Sequence, residues 1–335
     1  MKIIIENKIP FIAGVFEPYA EVSYLAPDAI TPETVRDADA LIVRTRTRCN
    51  ETLLAGSRCR IVATATIGTD HIDLDWCRAN GITVANAPGC NAPAVAQYVY
   101  ACAAAQLGDL RGRTIGVIGV GHVGSIVADW GESLGLKVLR CDPPRAEREG
   151  TDGFATYAEV TAEADIITLH TPLISDGSYP TLHLANDAFF ASLKRKPMFI
   201  NAARGPVTDT GALIAAIESG MVSNTAIDCW ENEPSIDRHL LEIVDIATPH
   251  IAGYSKEGKL RATQMAVKAV ATELGIPAEA GTPCAVTPAS EITIDNVVKS
   301  YNPDGDTRML RTDPERFEAL RNGYDLRTEV RSCRS

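Results

Sequence analysis

The sequence predicts an α/β protein of two doubly wound parallel-sheet domains followed by a small carboxyl-terminal appendage, and three observations carry that prediction. Short apolar runs recur at intervals of about 20 residues over the first ninety or so positions, the pattern of parallel strands buried on both faces. A second, more regular set runs from residue 113 to 248. Within it, Gly119, Gly121 and Gly124 stand in the order G-x-G-x-x-G directly after the apolar run "TIGVIGV" and at the start of a helix-like segment, which makes the architecture Rossmann-like.

Taken in order, the first set comprises "KIIIE", "EVSYL", "ALIVRT", "RIVATA" and "ITVAN". Asn91 then precedes the alanine-rich "APAVAQYVYACAAAQLG", with Asn91 the expected N-cap and Gly108 the expected stop. The second set comprises "TIGVIGV", "KVLRCD", "ADIITLH", "PMFINAA", "NTAIDCW" and "VDIATPH", with helices such as "TDTGALIAAIESG" between them. One more long helix is expected from Lys256 to Gly275, packing back on the first domain. The expected boundaries are 1–92 plus 254–275 for a discontinuous substrate or lid domain, 93–253 for the nucleotide domain and 276–335 for the appendage. In the appendage "SEITID" reads as a strand.

Of the 335 residues 45% are apolar and 22% charged, the composition of a soluble globular protein. No apolar run reaches the roughly 18 residues a membrane span needs. "MKIIIENKIP" meets Glu6 too early for a signal peptide and reads as a first strand. Nine cysteines, at 49, 59, 77, 90, 102, 141, 229, 284 and 333, show no CxxC and no metal-ligand spacing, so a reduced cytoplasmic compartment and no metal are expected. The net charge of -11 argues against nucleic acid or an anionic membrane as partner. An anionic substrate would need a locally basic pocket.

In the glycine loop Gly119 permits a tight turn, Gly121 lets a pyrophosphate approach the backbone, and Gly124 lets helix pack on strand; His122 and Val123 complete this expected phosphate cradle. The next apolar run ends in Asp142, 18 residues after Gly124. A carboxylate there accepts from the adenosine ribose hydroxyls and repels a 2′-phosphate, which favours NAD over NADP. Arg145 lies close by, but Pro143 and Pro144 turn the chain before it.

Three later strand ends carry polar residues where a parallel sheet places its ligands: Arg204 after "FINAA", Asp228 with Glu231 and Glu233 after "NTAI", and His250 in "ATPHIAG". The combination suits oxidation of a 2-hydroxy acid. Arg204 can hold a carboxylate in a bidentate fork, neutral His250 can take the hydroxyl proton, and Glu233 can orient the imidazole. In "VRTRTR", Arg44, Arg46 and Arg48 would share one face of a strand, with Thr45 and Thr47 on the other, and offer basic charge to a phosphate. The appendage arginines 308, 311, 316, 321 and 327 are interspersed with five acids after residue 312 and read as solvated surface.

The glycine fingerprint, "NAARGPV", "DCWENEP" and "TPHIAG" resemble the D-isomer-specific 2-hydroxyacid dehydrogenases over roughly residues 1–275. That resemblance implies catalytic roles for Arg204, Glu233 and His250, and NAD contacts at Asp142, Thr171, Ala202, Ala203, Arg204, Asp228 and Gly253. "VRTRTRCNETLL", "ATATIGTDHID", "APGCNAPAVAQYV", "CDPPRA" and "HIAGYSKEGKLRAT" are similar to a branch of the family acting on a phosphorylated 2-hydroxy acid. Its substrate contacts would fall on Thr45, Thr66 and Tyr254, with Arg44 and Arg46 as further candidates. The same likeness implies a homodimer formed through the appendage, which is shorter here than in that branch. Other readings are a dehydrogenase of the phosphoglycerate or glycerate/hydroxypyruvate type, or an NAD-responsive sensor. A sensor needs no proton acceptor, so the intact Arg, Glu and His speak against it.

Overall fold

The computed structural model describes residues 1–330, which form two compact units. Among the described residues, one comprises 1–91 and 256–285; the other comprises 92–255 and 286–330. Cys333 lies outside the described residues.

The first unit is a five-stranded parallel sheet of β1 (Lys2–Glu6), β2 (Glu21–Leu25), β3 (Ala40–Val43), β4 (Ile61–Thr64) and β5 (Thr83–Ala85) in the order β2-β1-β3-β4-β5. β3 and β4 are buried at every residue, as uninterrupted apolar runs require when both faces are covered. The long helix Lys256–Leu274 supplies Ala262, Ala266, Val267 and Val270 to the core formed by Ile3, Ile5, Ile42 and Ile61. Small and β-branched residues on that face let the helix lie close to the sheet, and Arg60 pairs with Glu273 near its end.

"VRTRTR" is not a strand beyond Val43. The buried Glu6 carboxylate accepts from the Arg44 amide (2.9 Å) and the Thr47 hydroxyl (3.1 Å), which draws the chain into a turn. The alternating faces expected for the arginines and threonines therefore do not form. Thr47 points inward, Thr45, Arg46 and Arg48 are exposed, and Arg44 donates to the Lys8 carbonyl.

The second unit holds β6 (Thr114–Ile118), β7 (Lys137–Cys141), β8 (Ile166–Leu169), β9 (Met198–Asn201), β10 (Asn224–Ile227) and β11 (Ile246–Ala247), all parallel, in the order β11-β10-β9-β8-β6-β7. Successive residues feed opposite faces: Ile166 and Met198 enter one core, Ile167 and Phe199 the other. The helix Ala92–Leu107 is buried at every position from Ala92 to Ala103 and ends at Gly108, whose φ of 69° suits the left-handed stop. Asn91 precedes it, but among the described residues its buried side-chain oxygen takes no hydrogen bond and so does not cap the helix.

The segment from residue 286 docks on this unit. Ile292, Val297, Tyr301 and Val330 enter one core, Leu310 and Phe317 the other. "SEITID" is not a strand: Thr293 caps the helix Ile294–Ser300, in a reciprocal box with Asn296. The expectation of solvated arginines fails at two positions. Arg327 is buried, donates to the carbonyls of Ala94, Ile251 and Ala252 and to Gln97 Oε1, and stacks on Tyr301. Arg321 is held among Tyr254, Glu233 and Glu318. Among the described residues no helix is long and apolar enough to cross a membrane.

Candidate active site

The sheet order reverses between β6 and β8, and a crevice at the carboxyl ends of strands flanking such a point is where an α/β sheet takes its ligand. Gly119 there has φ +87°, and a Cβ on it would sit 2.8 Å from the His170–Thr171 peptide. A Cβ on Gly124 would come within 1.9 Å of the Gly119 carbonyl oxygen, so the helix His122–Ser133 can approach the turn only with glycine at that position. Gly121, by contrast, faces open space. His122 is exposed and Val123 half-buried at the first turn of that helix.

Asp142 braces this loop: one carboxylate oxygen accepts from the Val120 amide (2.8 Å), the other from the Arg145 amide (3.0 Å). A carboxylate offers about four acceptor positions, so two remain for ribose hydroxyls. Arg145 is occupied by Glu149 (2.7 Å) and lies over the Phe154 ring, so its charge is already balanced. Across the crevice, Thr171 Oγ1 and His170 Nδ1 are buried and meet no partner among the described residues. Burial pushes the His170 imidazole down to about 3, so it is neutral at physiological pH. An open glycine cradle, a braced acid and an orphaned hydroxyl at the switch point fit a dinucleotide.

The strand ends on the other side of the sheet bring the catalytic candidates together. Asn201, at the end of β9, is buried; its amide donates to the carbonyls of Arg204 and Cys229, and its oxygen accepts from the Ala203 amide. Gly205 must lack a side chain, because a Cβ there would meet the Trp230 carbonyl at 1.9 Å. The Ala202–Arg204 loop is thereby locked against the segment after β10, and Arg204 donates to the Ala203 carbonyl. Burial pushes the Cys229 thiol well up, and Asp228, Glu233, Arg204 and Arg321 all act on it electrostatically.

His250 has the left-handed φ of 55°, unusual for a non-glycine residue, and its amide is held by the carbonyls of Asp228 and Thr248. Its Nδ1 meets Glu233 Oε1 at 2.6 Å. Burial raises the Glu233 carboxyl, but the attraction and hydrogen bond of His250, the charge of Arg321 and the Trp230 amide outweigh it and hold the group below the usual range. Glu231, the other acid of "DCWENEP", is taken by His183 (2.7 Å) and the Thr210 amide, which leaves Glu233 as the partner of His250. Asp228 is 1% exposed and accepts from Thr248 Oγ1 and the amides of Ile251 and Ala252. It shapes the loop that carries His250 and Gly253. Tyr254 follows, half-buried, with its oxygen 3.3 Å from Arg321 Nε.

Residues 95–252 match the D-isomer specific 2-hydroxyacid dehydrogenase, NAD binding domain. Over 342 residues the chain is 47% identical to the erythronate-4-phosphate dehydrogenase of Bacteroides thetaiotaomicron, covering 99% of this chain and 98% of that one. The chain belongs to the D-isomer-specific 2-hydroxyacid dehydrogenase family. Relatives of the same name from Porphyromonas gingivalis and Cronobacter sakazakii are 39% and 40% identical, over 99% and 98% of this chain and 94% and 92% of theirs. A solved D-lactate dehydrogenase of Aquifex aeolicus, complexed with NAD and lactic acid, superposes with a TM-score of 0.69 at 27% identity, over 82% of this chain and 96% of that one. The Bacteroides match takes in nearly all of both chains, so the short carboxyl-terminal region is common to both.

Within the family frame, Arg204, Glu233, His250 and Tyr254 all lie in the second unit. Thr45, Thr66, Arg44 and Arg46 lie in the first. There Thr66 bonds Thr64 Oγ1 (2.7 Å) and the Gly68 carbonyl, while Thr45 is exposed on the turn built by Glu6. Sequence reasoning missed Asn201, whose locking role shows only when its partners Ala203, Arg204, Thr208 and Cys229 are in place, and Arg321, whose acidic neighbours in the chain suggested solvation.

Proposed function

We propose that this chain is an NAD-dependent erythronate-4-phosphate dehydrogenase, which oxidises the C2 hydroxyl of 4-phospho-D-erythronate to give (R)-3-hydroxy-2-oxo-4-phosphooxybutanoate in pyridoxal 5′-phosphate biosynthesis. The observation that carries it is the 2.6 Å Glu233–His250 pair, in a chain 47% identical over nearly its full length to a relative of that name. NAD, when bound, supplies the hydride acceptor. Gly119, Gly121, His122, Val123, Gly124, Asp142, Thr171, Ala202, Ala203, Arg204, Asp228 and Gly253 are the residues assigned to hold it.

The chemistry of the chain's own groups follows from the tautomer. Glu233, held ionised, can only accept, so His250 Nδ1 carries its proton and Nε2 presents a lone pair. Nε2 takes the C2 hydroxyl proton, and the imidazolium formed is stabilised by the adjoining carboxylate. Arg204 holds the substrate carboxylate in a two-point fork that fixes C2. Thr45, Thr66, Arg44 and Arg46 of the first unit, with Tyr254, are assigned to the rest of the substrate. We further assign the first unit as the substrate or lid domain, the segment from residue 286 to homodimer formation, and the enzyme to the cytoplasm.

Purified protein given NAD and 4-phospho-D-erythronate should produce NADH and the 2-oxo acid, with kcat/KM above that for 3-phosphoglycerate, glycerate or D-lactate. Preference for any of those acids would overturn the substrate assignment. NADH binding without turnover on any of them would favour a sensor instead.

A further inference from the structure

The carboxyl-terminal segment delivers one side chain to the catalytic pair. The short helix Phe317–Asn322 is anchored by Phe317, which is wholly buried beside Leu310 in the second unit's core. That anchor fixes where Arg321, four residues on, can reach. Its side chain is 16% exposed, with Nη1 3.9 Å from Glu233 Oε1, the same oxygen that accepts from His250. Its Nε lies 3.3 Å from the Tyr254 oxygen, and Glu318 stands 3.9 Å from Nη1 on the other side. A guanidinium can only donate, so the Tyr254 oxygen must be the acceptor in this contact, and the phenolic O–H is directed away from Arg321. Tyr254 is itself steadied by the edge of Tyr324, from the same segment.

Two consequences meet at one residue. A permanent cation close to Glu233 favours its ionised form, the form that orients His250. A donor aimed at the Tyr254 oxygen fixes which way the hydroxyl hydrogen points, and a substrate oxygen is the acceptor assigned to it. We propose that Arg321 is a positioning residue of the dehydrogenase, acting through Glu233 on the proton acceptor and through Tyr254 on the substrate. This rests on the dehydrogenase reading above and extends the site into a segment outside both parallel sheets.

The test is steady-state kinetics of Arg321→Met and Arg321→Lys, alone and combined with Tyr254→Phe, using whichever 2-hydroxy acid the unaltered enzyme turns over best. Arg321→Met should lower kcat/KM about 10- to 100-fold, while NADH affinity, read by fluorescence titration, stays within about twofold. Arg321→Lys keeps a cation near Glu233 but has no Nε–H for Tyr254. It should keep kcat within about threefold and raise KM about 5- to 10-fold. Adding Tyr254→Phe to Arg321→Met should cost much less than the product of the two single losses. The inference is overturned if Arg321→Met stays within twofold of the unaltered enzyme, if its loss is matched by lost NADH affinity, or if the double substitution is multiplicative. Should Arg321→Met fail to fold, a KM unchanged in Arg321→Lys overturns it alone. A different preferred substrate removes only the substrate assignment, whereas no turnover on any 2-hydroxy acid removes both.

Discussion

Glu233→Gln isolates the charge of the Glu233–His250 pair, because glutamine keeps the shape and an oxygen able to accept from His250 Nδ1. The side chains of His250 and Glu233 are only 23% and 24% exposed, and 2.6 Å separates them, so the contact is largely shielded from water. A hydrogen bond to a charged group in such a setting contributes about 1.5–3 kcal/mol. The imidazolium that needs the carboxylate forms only as the substrate hydroxyl loses its proton, so the loss falls on the reaction barrier, about 10- to 150-fold in kcat. Arg204 is untouched, so KM for the hydroxy acid should move less than threefold, and NADH affinity should not move. Stability follows the same carboxylate. Its folded value lies below the usual one although burial alone would raise it, because His250, Arg321 and the Trp230 amide favour the charged form. Its contribution is therefore present above the unfolded carboxyl value and lost as pH falls through the folded one. The stability gap between the native protein and Glu233→Gln should be open at neutral pH and close from about pH 4.5 downward. Steady-state kinetics at saturating NAD, with urea unfolding at several pH values, reads both quantities. A kcat within threefold of the native value, or a loss tracked by weaker NADH binding, would refute the assignment of Glu233 as the orienting acid.

Arg204→Lys should lower kcat/KM by about 30- to 150-fold with NADH affinity unchanged, since an ammonium cannot hold a carboxylate at two points; an effect under threefold would remove Arg204 from the substrate. Gly121→Ala and Gly124→Ala should part company. The first places its methyl in open space and should leave Tm unchanged while weakening NADH binding about tenfold or more; the second meets the Gly119 carbonyl and should lower both Tm and NADH affinity. Equal behaviour of the two would contradict the cradle geometry. Arg327→Met should cost about 3–5 kcal/mol in urea unfolding, because it strips a buried cation from carbonyls that have no water to turn to.

How much of this was legible in the sequence depended on how far apart the interacting groups lie along the chain. The strands of both sheets were legible because residues covered on both faces must be apolar without interruption, and β3, β4 and β8 are buried at each residue. The glycine fingerprint was legible because Gly119 and Gly124 answer local steric demands, and Arg204, Glu233 and His250 could be grouped as candidates because successive parallel strands end on one edge. What failed was set by remote partners. "VRTRTR" has the alternation of a strand, yet Glu6, some forty positions earlier, turns the chain after Val43. The pairing expected for Glu233 is present with His250, whereas the partner of Glu231, His183, had no signal in the sequence. Arg321 and Arg327 sit in a run rich in acids, where solvation is the ordinary outcome; only docking of the segment on the second unit removes them from water.

That docking bears directly on His250, the residue assigned as proton acceptor. Asp228 accepts the amide hydrogens of Ile251 and Ala252, and Arg327 donates to the carbonyls of the same two residues. Burial pushes the Asp228 carboxyl up, against the pull of His250, Thr248 and the two amides. A buried carboxyl on the N–H side and a buried guanidinium on the C=O side thus grip the peptides immediately after His250. The left-handed backbone of His250, which an isolated loop would relax, persists because the residues on either side are tied: Thr248 to Asp228, and Ile251 and Ala252 to both Asp228 and Arg327. The carboxyl-terminal segment is therefore part of what aims the imidazole. A substitution there that leaves the sheet and the glycine loop intact should still lower kcat more than it lowers NADH affinity.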